Sequence, residues 1–511
     1  MALQLRRPPP PQNWIQLQIV EEEEEEEVRT PFWIPPPTHP LPDPDPPYPE
    51  WILLHGKAYL HHLTNATTAA ASTKDGHRIH VTFWSAPPPS LSYFTVHCPD
   101  LNHEKFAHMP RIIATDGNLA LIRVTICPMY FSEEAKFNEY FIYDAAKASP
   151  PSLEPLPSPS SCREVFPDRR VGLMRRSDGG FFVAALNQNK PYQRLSSSSG
   201  KHHLNLHLYD STNGEWEIKV MDIVDSVASA AFTFASKVIN IGGRSGSMGW
   251  VDLWKGILIY DMFVGNNVLR YIPLPLPPPW VHRVLLKGCA VAVRDVVAVN
   301  GSINYFEMYP HFSHGWIART STWKMDSCSS SNWQDRWNFK ASELRMDNPL
   351  HLKLLHDLQG DEAEDQSPLL NLHAGHPALS LQHDDGDVVY ILLRAVCMDE
   401  KGCLLVIDMR NKTVREVVDC SGARTGGFRD VYRQSRISKH LYRNKPTPAK
   451  VLCVELHKQS SNNPWLTAVT HGRKRSQGEH VMAGHDQCVW KETLDMRGCA
   501  LVSEIFKRSE A

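Results

Sequence analysis

The sequence lacks any long apolar run. Nothing in its 511 residues approaches the ~18–20 apolar positions needed to span a bilayer, which argues against a helical membrane protein. No apolar leader follows Arg6 and Arg7, where a proline run stands instead, and the 11 cysteines contain no Cys-x-x-Cys pair. An odd cysteine count without a leader points to reduced, buried thiols. No disulfides are therefore expected, and the expected compartment is cytoplasmic or nuclear. A dominant charge sign is missing too: 54 Lys+Arg against 56 Asp+Glu leave a formal −2, which argues against nucleic-acid binding through overall charge. Helical periodicity is scarce, with Ser342 to Leu358 the best stretch, and 39 prolines outnumber 28 glycines. A mostly helical protein is disfavoured.

What is present divides the chain in three. Residues 1–47 hold Pro8 to Pro11, the unbroken run Glu21 to Glu27 and further Pro/Asp segments. Adjacent like charges repel and bury nothing, so a disordered arm is expected. From Trp51 onward short apolar-alternating runs appear, such as Arg78 to Phe83 and Leu204 to Leu208, the period of half-buried strands. Val299-Asn300-Gly301-Ser302-Ile303 carries a hairpin signal, and Asp385-Gly386 suggests another. This body is expected to span 48–445. A basic, poorly ordered tail is expected over 446–511; from Ser421 to Ala511, 16 Lys/Arg stand against 8 Asp/Glu.

A diverged repeat organises the body. Four times an apolar run ends in Asp, at Asp144, Asp210, Asp261 and Asp408, followed by a turn and a second strand-like run. Asp closes such a turn through the backbone that follows it. The spacings are 66, 51 and 147, the last near three times the second. A period near ~50 residues predicts an all-β, propeller-like body of the kelch or F-box-associated type, with about six to eight blades. A different β sandwich or barrel is the alternative.

The stretch from Trp51 to about Leu441 resembles the plant family, expanded in grasses, that carries the domain of unknown function 1618. The resemblance rests on Asn65 to Ala69, Tyr93 to Cys98, Ser236 to Gly243, Met248 to Leu258, Leu269 to Pro275, Gly315 to Ala318, His376 to Leu381, Asp408 to Lys412 and Ile437 to Leu441. The family-motif positions are Gly242, Gly243, Gly249, Trp250, Asp252, Trp254, Gly256, Asp261, Arg270, Tyr271, Pro273, Gly315 and Trp316, with a structural or interaction role. The resemblance implies no reaction and no catalytic residues.

Motifs that suggest chemistry fail on spacing. Gly242 to Gly249 lacks a Gly-Lys-Ser/Thr ending and leads into a strand-like run rather than a helix N-terminus, so a β-turn is expected there. His103 and His108 are five apart, one too many to share a helix face as a zinc pair. The acidic group Asp357, Asp361, Glu362, Glu364 and Asp365 lacks a calcium-loop pattern, His485 to Cys488 has no second ligand pair, and Arg473-Lys474-Arg475 is a short basic run. No catalytic, cofactor or metal residue is named. The expectation is a non-catalytic protein-interaction module with an unidentified protein partner. The alternative is an enzyme or small-ligand binder that uses the central channel, marked by inward-facing Asp, Glu or His with perturbed pKa values.

Overall fold

The computed structural model describes residue 41 and residues 48–442, apart from 128–134, 147–149, 159–165, 189–203, 224–234, 282–285, 287, 312, 326–331, 361–366, 383–386, 397–398, 400 and 421–431. The chain divides into two units, residues 1–447 and 448–511, and every described residue belongs to the first. The Glu21–Glu27 run, Asp385-Gly386, the acidic positions 361–365, the Arg473 run and the His485 group lie outside the described residues.

Blade 1 contains β1 (Ile52–Leu54), β2 (Tyr59–Leu60), β3 (Ala69–Ser72), β4 (Arg78–Trp84) and β5 (Leu91–His97). Blade 2 is β6 (Phe106–Asp116), β7 (Leu119–Ile126), β8 (Asn138–Asp144) and β9 (Ser152–Leu156). Blade 3 is β10 (Val171–Arg175), β11 (Phe181–Gln188), β12 (Leu204–Asp210) and β13 (Glu215–Ile223). Blade 4 is β14 (Lys237–Gly242), β15 (Ser247–Asp252), β16 (Gly256–Asp261) and β17 (Val268–Pro273). Blade 5 is β18 (Arg294–Val299), β19 (Ser302–His311), β20 (Gly315–Lys324) and β21 (Gln334–Lys340). The helices α1 (Pro349–Gln359) and α2 (Pro368–Asn371) follow, then blade 6, made of β22 (His373–Leu379), β23 (Val388–Arg394), β24 (Cys403–Asp408) and β25 (Thr413–Asp419). Finally β26 (Arg433–Ser435) returns to pair antiparallel with β1, so the end of the body completes the blade that its beginning started.

Blades 2 to 6 are four-stranded antiparallel meanders in chain order; blades 3 and 4 also touch through a short parallel pairing of β13 with β17. Six apolar clusters fill the six spaces between successive blades. Phe83, Ile112 and Phe141 lie between blades 1 and 2, Ile113 and Leu173 between 2 and 3, Phe182 and Trp250 between 3 and 4. Val251 and Val296 lie between 4 and 5, Val297 and Val389 between 5 and 6, Trp51 and Tyr390 between 6 and 1. The sixth space is filled like the other five, so the ring is closed: the body is a six-bladed β-propeller among the described residues.

Middle strands are buried on both faces, which is why β23 and β24 read as unbroken apolar runs, while outer strands are largely exposed, β13 burying only Met221 and β25 only Val414 and Val417. Trp250 is fully buried and donates its indole N–H to the Arg170 carbonyl at 2.8 Å across the space to blade 3. Truncating such a side chain to alanine costs about 3–5 kcal/mol.

The Asp repeat marks the ends of third strands β8, β12, β16 and β24. Three of these carboxylates accept from a backbone N–H just beyond: Ala146 on Asp144 at 2.8 Å, Thr212 on Asp210 at 2.9 Å and Asn411 on Asp408 at 3.0 Å. Asp144 and Asp210 also bind Asn118 and Arg176 beside the first turn of the same blade, so one side chain joins both turns at that end; Asp261 binds Ser247 beside the first turn of its own blade. The period differs from the expected ~50 residues. First strands of blades 2 to 6 begin at 106, 171, 237, 294 and 373, which are 65, 66, 57 and 79 apart. The 147-residue gap spans two blades rather than three, because the third strand of blade 5 ends in Lys324 and α1 and α2 are inserted before blade 6. The helix expected over Ser342 to Leu358 starts later, at Pro349, where the Asn348 side chain accepts from Leu350 N–H.

Candidate functional site

The first strands of blades 2 to 6 and β26 line the axis, and the axis is polar. Asp295, at the start of β18, is buried and accepts four hydrogen bonds. Lys237 Nζ of blade 4 lies 2.8 Å from Oδ1, and Val296 N–H donates to the same oxygen at 2.8 Å. Gln434 Nε2 of β26 donates to Oδ2 at 2.7 Å, and Leu379 N–H of blade 6 at 2.9 Å. Asp116, at the end of β6, accepts Arg175 N–H of blade 3 at 2.7 Å and a side-chain bond from Asn240 of blade 4, with the Arg436 charge nearby. Burial pushes the Asp116 carboxyl above its usual range, against the pull of those donors and of Arg175 and Arg436. Asn240 Nδ2 also donates to the Leu173 carbonyl at 2.6 Å, and Arg436 Nη2 to the Leu381 carbonyl at 2.7 Å.

Two carboxylates thus reach all six blades: Asp295 ties blades 4, 5, 6 and 1, and Asp116 ties 2, 3, 4 and 1. A carboxylate has about four lone-pair sites, and Asp295 has filled them. It serves as a clasp rather than as a base with a free oxygen. Asp116 retains a raised pKa and nearby guanidinium groups.

A second polar set is sealed inside blade 5. Arg294 and Glu307 are fully buried and meet at 2.9 Å; Arg294 also donates to Tyr309 Oη at 2.9 Å and to the Leu253 carbonyl at 2.7 Å. The hydroxyls of Tyr305 and Tyr309 donate to Glu307 at 2.6 and 2.8 Å, and Arg319 binds its other oxygen. Burial opposes the Arg294 charge, yet Tyr305, Tyr309 and Glu307 outweigh it and raise the guanidinium above its usual value.

At the end of the ring where blades are joined, blade 5 carries an exposed aromatic patch. Leu276 is 84% exposed and Trp280 38%, both in the connection from β17 to β18. The Trp280 ring stands edge-on to Tyr309 at 6.1 Å and to His311 at 5.7 Å, and His311 stacks on His314 at 4.8 Å. Arg319 donates to the Leu276 carbonyl and holds the connection against β20.

The motif residues named from sequence gather in two adjoining blades and pack. Gly242 and Gly243, both with φ of +75°, make the β14–β15 turn, so the stretch is strand–turn–strand. Asp252 accepts Trp254 N–H at 3.0 Å in the next turn, and Trp254 Nε1 donates to the Gly288 carbonyl. A Cβ at Gly256 would fall 2.4 Å from the Tyr271 ring, and one at Gly249 would meet Ile257 at 2.9 Å. Arg270 grips both oxygens of Asp261, and the Pro273 carbonyl accepts Trp333 Nε1 at 2.7 Å. Gly315, with φ of +70°, lies where a Cβ would stand 2.7 Å from the Leu369 carbonyl, and Trp316 beside it is fully buried. None of these residues forms the axial set. Lys237 falls inside the stretch 236–243 that carries the resemblance but was given no role of its own; Asp116, Asp295, Gln434, Leu276 and Trp280 were not singled out in the sequence. His103 lies in a short 3-10 turn and His108 on β6. Among the described cysteines, burial pushes the thiols of Cys98 and Cys420 up to about 12 and that of Cys403 to about 11.

The fold defines a six-bladed propeller with a clasped axis. Residues 250–390, which span most of blades 4 and 5 and the start of blade 6, match the family described as "Protein of unknown function (DUF1618)". No curated protein matches the chain. Solved structures similar to it include the β-propeller domain of the Trilobed protease from Pyrococcus furiosus, at 10% identity over 60% of this chain and 68% of that one, TM-score 0.26. The WD40 domain of SCAP from fission yeast is 14% identical over 74% and 89%, TM-score 0.27. The GH43 BlXynB protein from Bacillus licheniformis is 8% identical over 61% and 54%, TM-score 0.27, so the chain spans about half that protein's length. The propeller assignment rests on the sheet topology and the six inter-blade clusters, not on these likenesses.

Proposed function

We propose that the protein is a non-catalytic interaction module in which the propeller presents the Leu276–Trp280 face of blade 5 to a protein partner. The carrying observation is the exposure of a leucine and a tryptophan on a connection that Arg319 and the Tyr309–His311 rings hold in place. Aromatic side chains on a rigid surface are the usual anchors of protein contacts. The patch lies inside the matched segment, which supports a role shared by the domain. A cytoplasmic or nuclear site, and a place for the whole body in the grass-expanded plant family, belong to the same reading.

The test is affinity capture by the full chain and by Leu276→Ser/Trp280→Ala, with equal melting temperatures as the control for folding. A partner retained by the first and lost by the second is the expected result. Equal recovery by both would remove this face from the reading. The raised carboxyl of Asp116 favours a second use, small-ligand binding at the axis. Asp116→Asn would then change ligand affinity, while capture of the protein partner stays as it was.

A further inference from the structure

Blade 1 carries a row of four imidazoles drawn from three segments. His61 and His62 follow β2, His80 lies on β4, and His97 ends β5. His80 and His97 are direct cross-strand partners with ring centres 6.1 Å apart; His97 stands 6.2 Å from His62, and His62 stacks on His61 at 4.4 Å. Leu63 N–H occupies Nδ1 of His61 at 3.1 Å. The rings of His62, His80 and His97 make no hydrogen bond among the described residues.

Among the described residues, no carboxylate is hydrogen-bonded to or paired with these rings. His61 is held below the usual imidazole range by burial and by His62; His97 is held there by burial and then by His80, His62 and His61. Burial thus favours the neutral form of His61 and His97, and the rings of His62, His80 and His97 offer nitrogens that hold no hydrogen bond among the described residues. Neutral imidazole is the ligand that zinc, copper and nickel ions share. With metal–nitrogen distances of ~2.0–2.1 Å, two imidazoles on one ion have ring centres roughly 5–6 Å apart. The His80–His97 and His97–His62 separations, 6.1 and 6.2 Å, lie just beyond that span, so small side-chain rotations would bring either pair onto one ion. Among the described residues no three ligand-type side chains yet converge on one point, but His62 is exposed, and rotation of its side chain would bring a third ring toward the pair.

We propose that His80 and His97, fixed by the β4–β5 pairing, with His62 closing over them, form a binding site for one divalent ion of the zinc, copper and nickel class. The strands set the two-ring chelate, and water fills the remaining coordination positions.

The test uses the full chain and zinc ions at pH 7.5, with magnesium as the control, reading bound ions by equilibrium dialysis and affinity by calorimetry. The wild type is expected to bind one zinc ion more than His80→Ala/His97→Ala, and to lose at least tenfold in affinity for that ion at pH 5.5, because protons compete with metal ions for imidazole ligands. Equal stoichiometry and affinity in the two proteins would overturn the proposal, as would an equal response to magnesium. If the double variant melts well below the wild type, His62→Ala carries the test. A tenfold or greater loss of zinc affinity supports the site, and an unchanged affinity overturns it.

Discussion

Blades 5 and 6 pack face to face, yet they treat buried polar groups in opposite ways. In blade 5 Arg294 stays charged at full burial, because Glu307, two tyrosine hydroxyls and the Leu253 carbonyl close around it and the Trp254 ring lies 4.6 Å from its guanidinium. In blade 6 His376 is also fully buried, on a bulge of β22 with φ of +51°, and its Nε2 has no hydrogen-bond partner. Burial first, and then the Arg394 charge, lower its pKa to about 3. A buried guanidinium cannot shed its proton, so the fold must supply counter-groups; an imidazole can, so the fold leaves it neutral.

The comparison breaks most sharply at Glu307. Glu307→Gln leaves the Arg294 charge without its counter-charge, and urea unfolding should show a loss of about 3–5 kcal/mol. Arg294→Met/Glu307→Met, which removes both charges, should cost less than the single change, and a double-mutant cycle measures the difference. A smaller effect comes from His376. Its folded pKa lies below the unfolded value of 6.5, so the unfolded chain binds more protons between the two. The stability it contributes is complete above pH 6.5 and is lost as pH falls toward 3. Between pH 7 and pH 4 the loss from this group is about 3 kcal/mol. His376→Asn, which tolerates the positive φ, should flatten that part of the pH–stability curve measured by denaturant titration. Asp261→Ala in blade 4 removes the bond to Ser247 and the grip of Arg270, and a loss of about 1 kcal/mol is expected in the same assay.

The Asp repeat marked blades 2, 3, 4 and 6 and passed over blades 1 and 5, where the Asn300-Gly301 turn between β18 and β19 was legible but the polar core of blade 5 was not. Asp144, Asp210, Asp261 and Asp408 were legible because each must turn the chain at the end of a third strand, a local task with a local signature. Blade 5 ends that strand with Trp323-Lys324 and draws its order from Arg294 and Glu307, 13 residues apart and joined only in the fold. The axis was hidden for the same reason. Gln434 and Asp295 are 139 residues apart, and Arg433 and Ile113, whose carbonyl it binds, are 320 apart. Single polar residues at strand ends carry no periodicity, and the three residues of β26 are too few to show one. The Gly242–Gly249 stretch was readable as a turn because a strand follows it; the exposure of Leu276 and Trp280 was not, since it depends on which end of the ring their connection occupies.

The pairing of Ile52 with Ser435 has a consequence for synthesis. Ser435 leaves the ribosome 383 residues after Ile52, and at ~5–20 residues per second that is a wait of roughly 20 to 80 s. Through that interval blade 1 lacks its axial strand, and Trp51 and Leu53 await the blade 6 surface that later covers them. Blades 2 to 5 can stack as they emerge, but the circle is completed by its last few residues, so the nascent protein is for most of its synthesis an open arc with two unfinished faces.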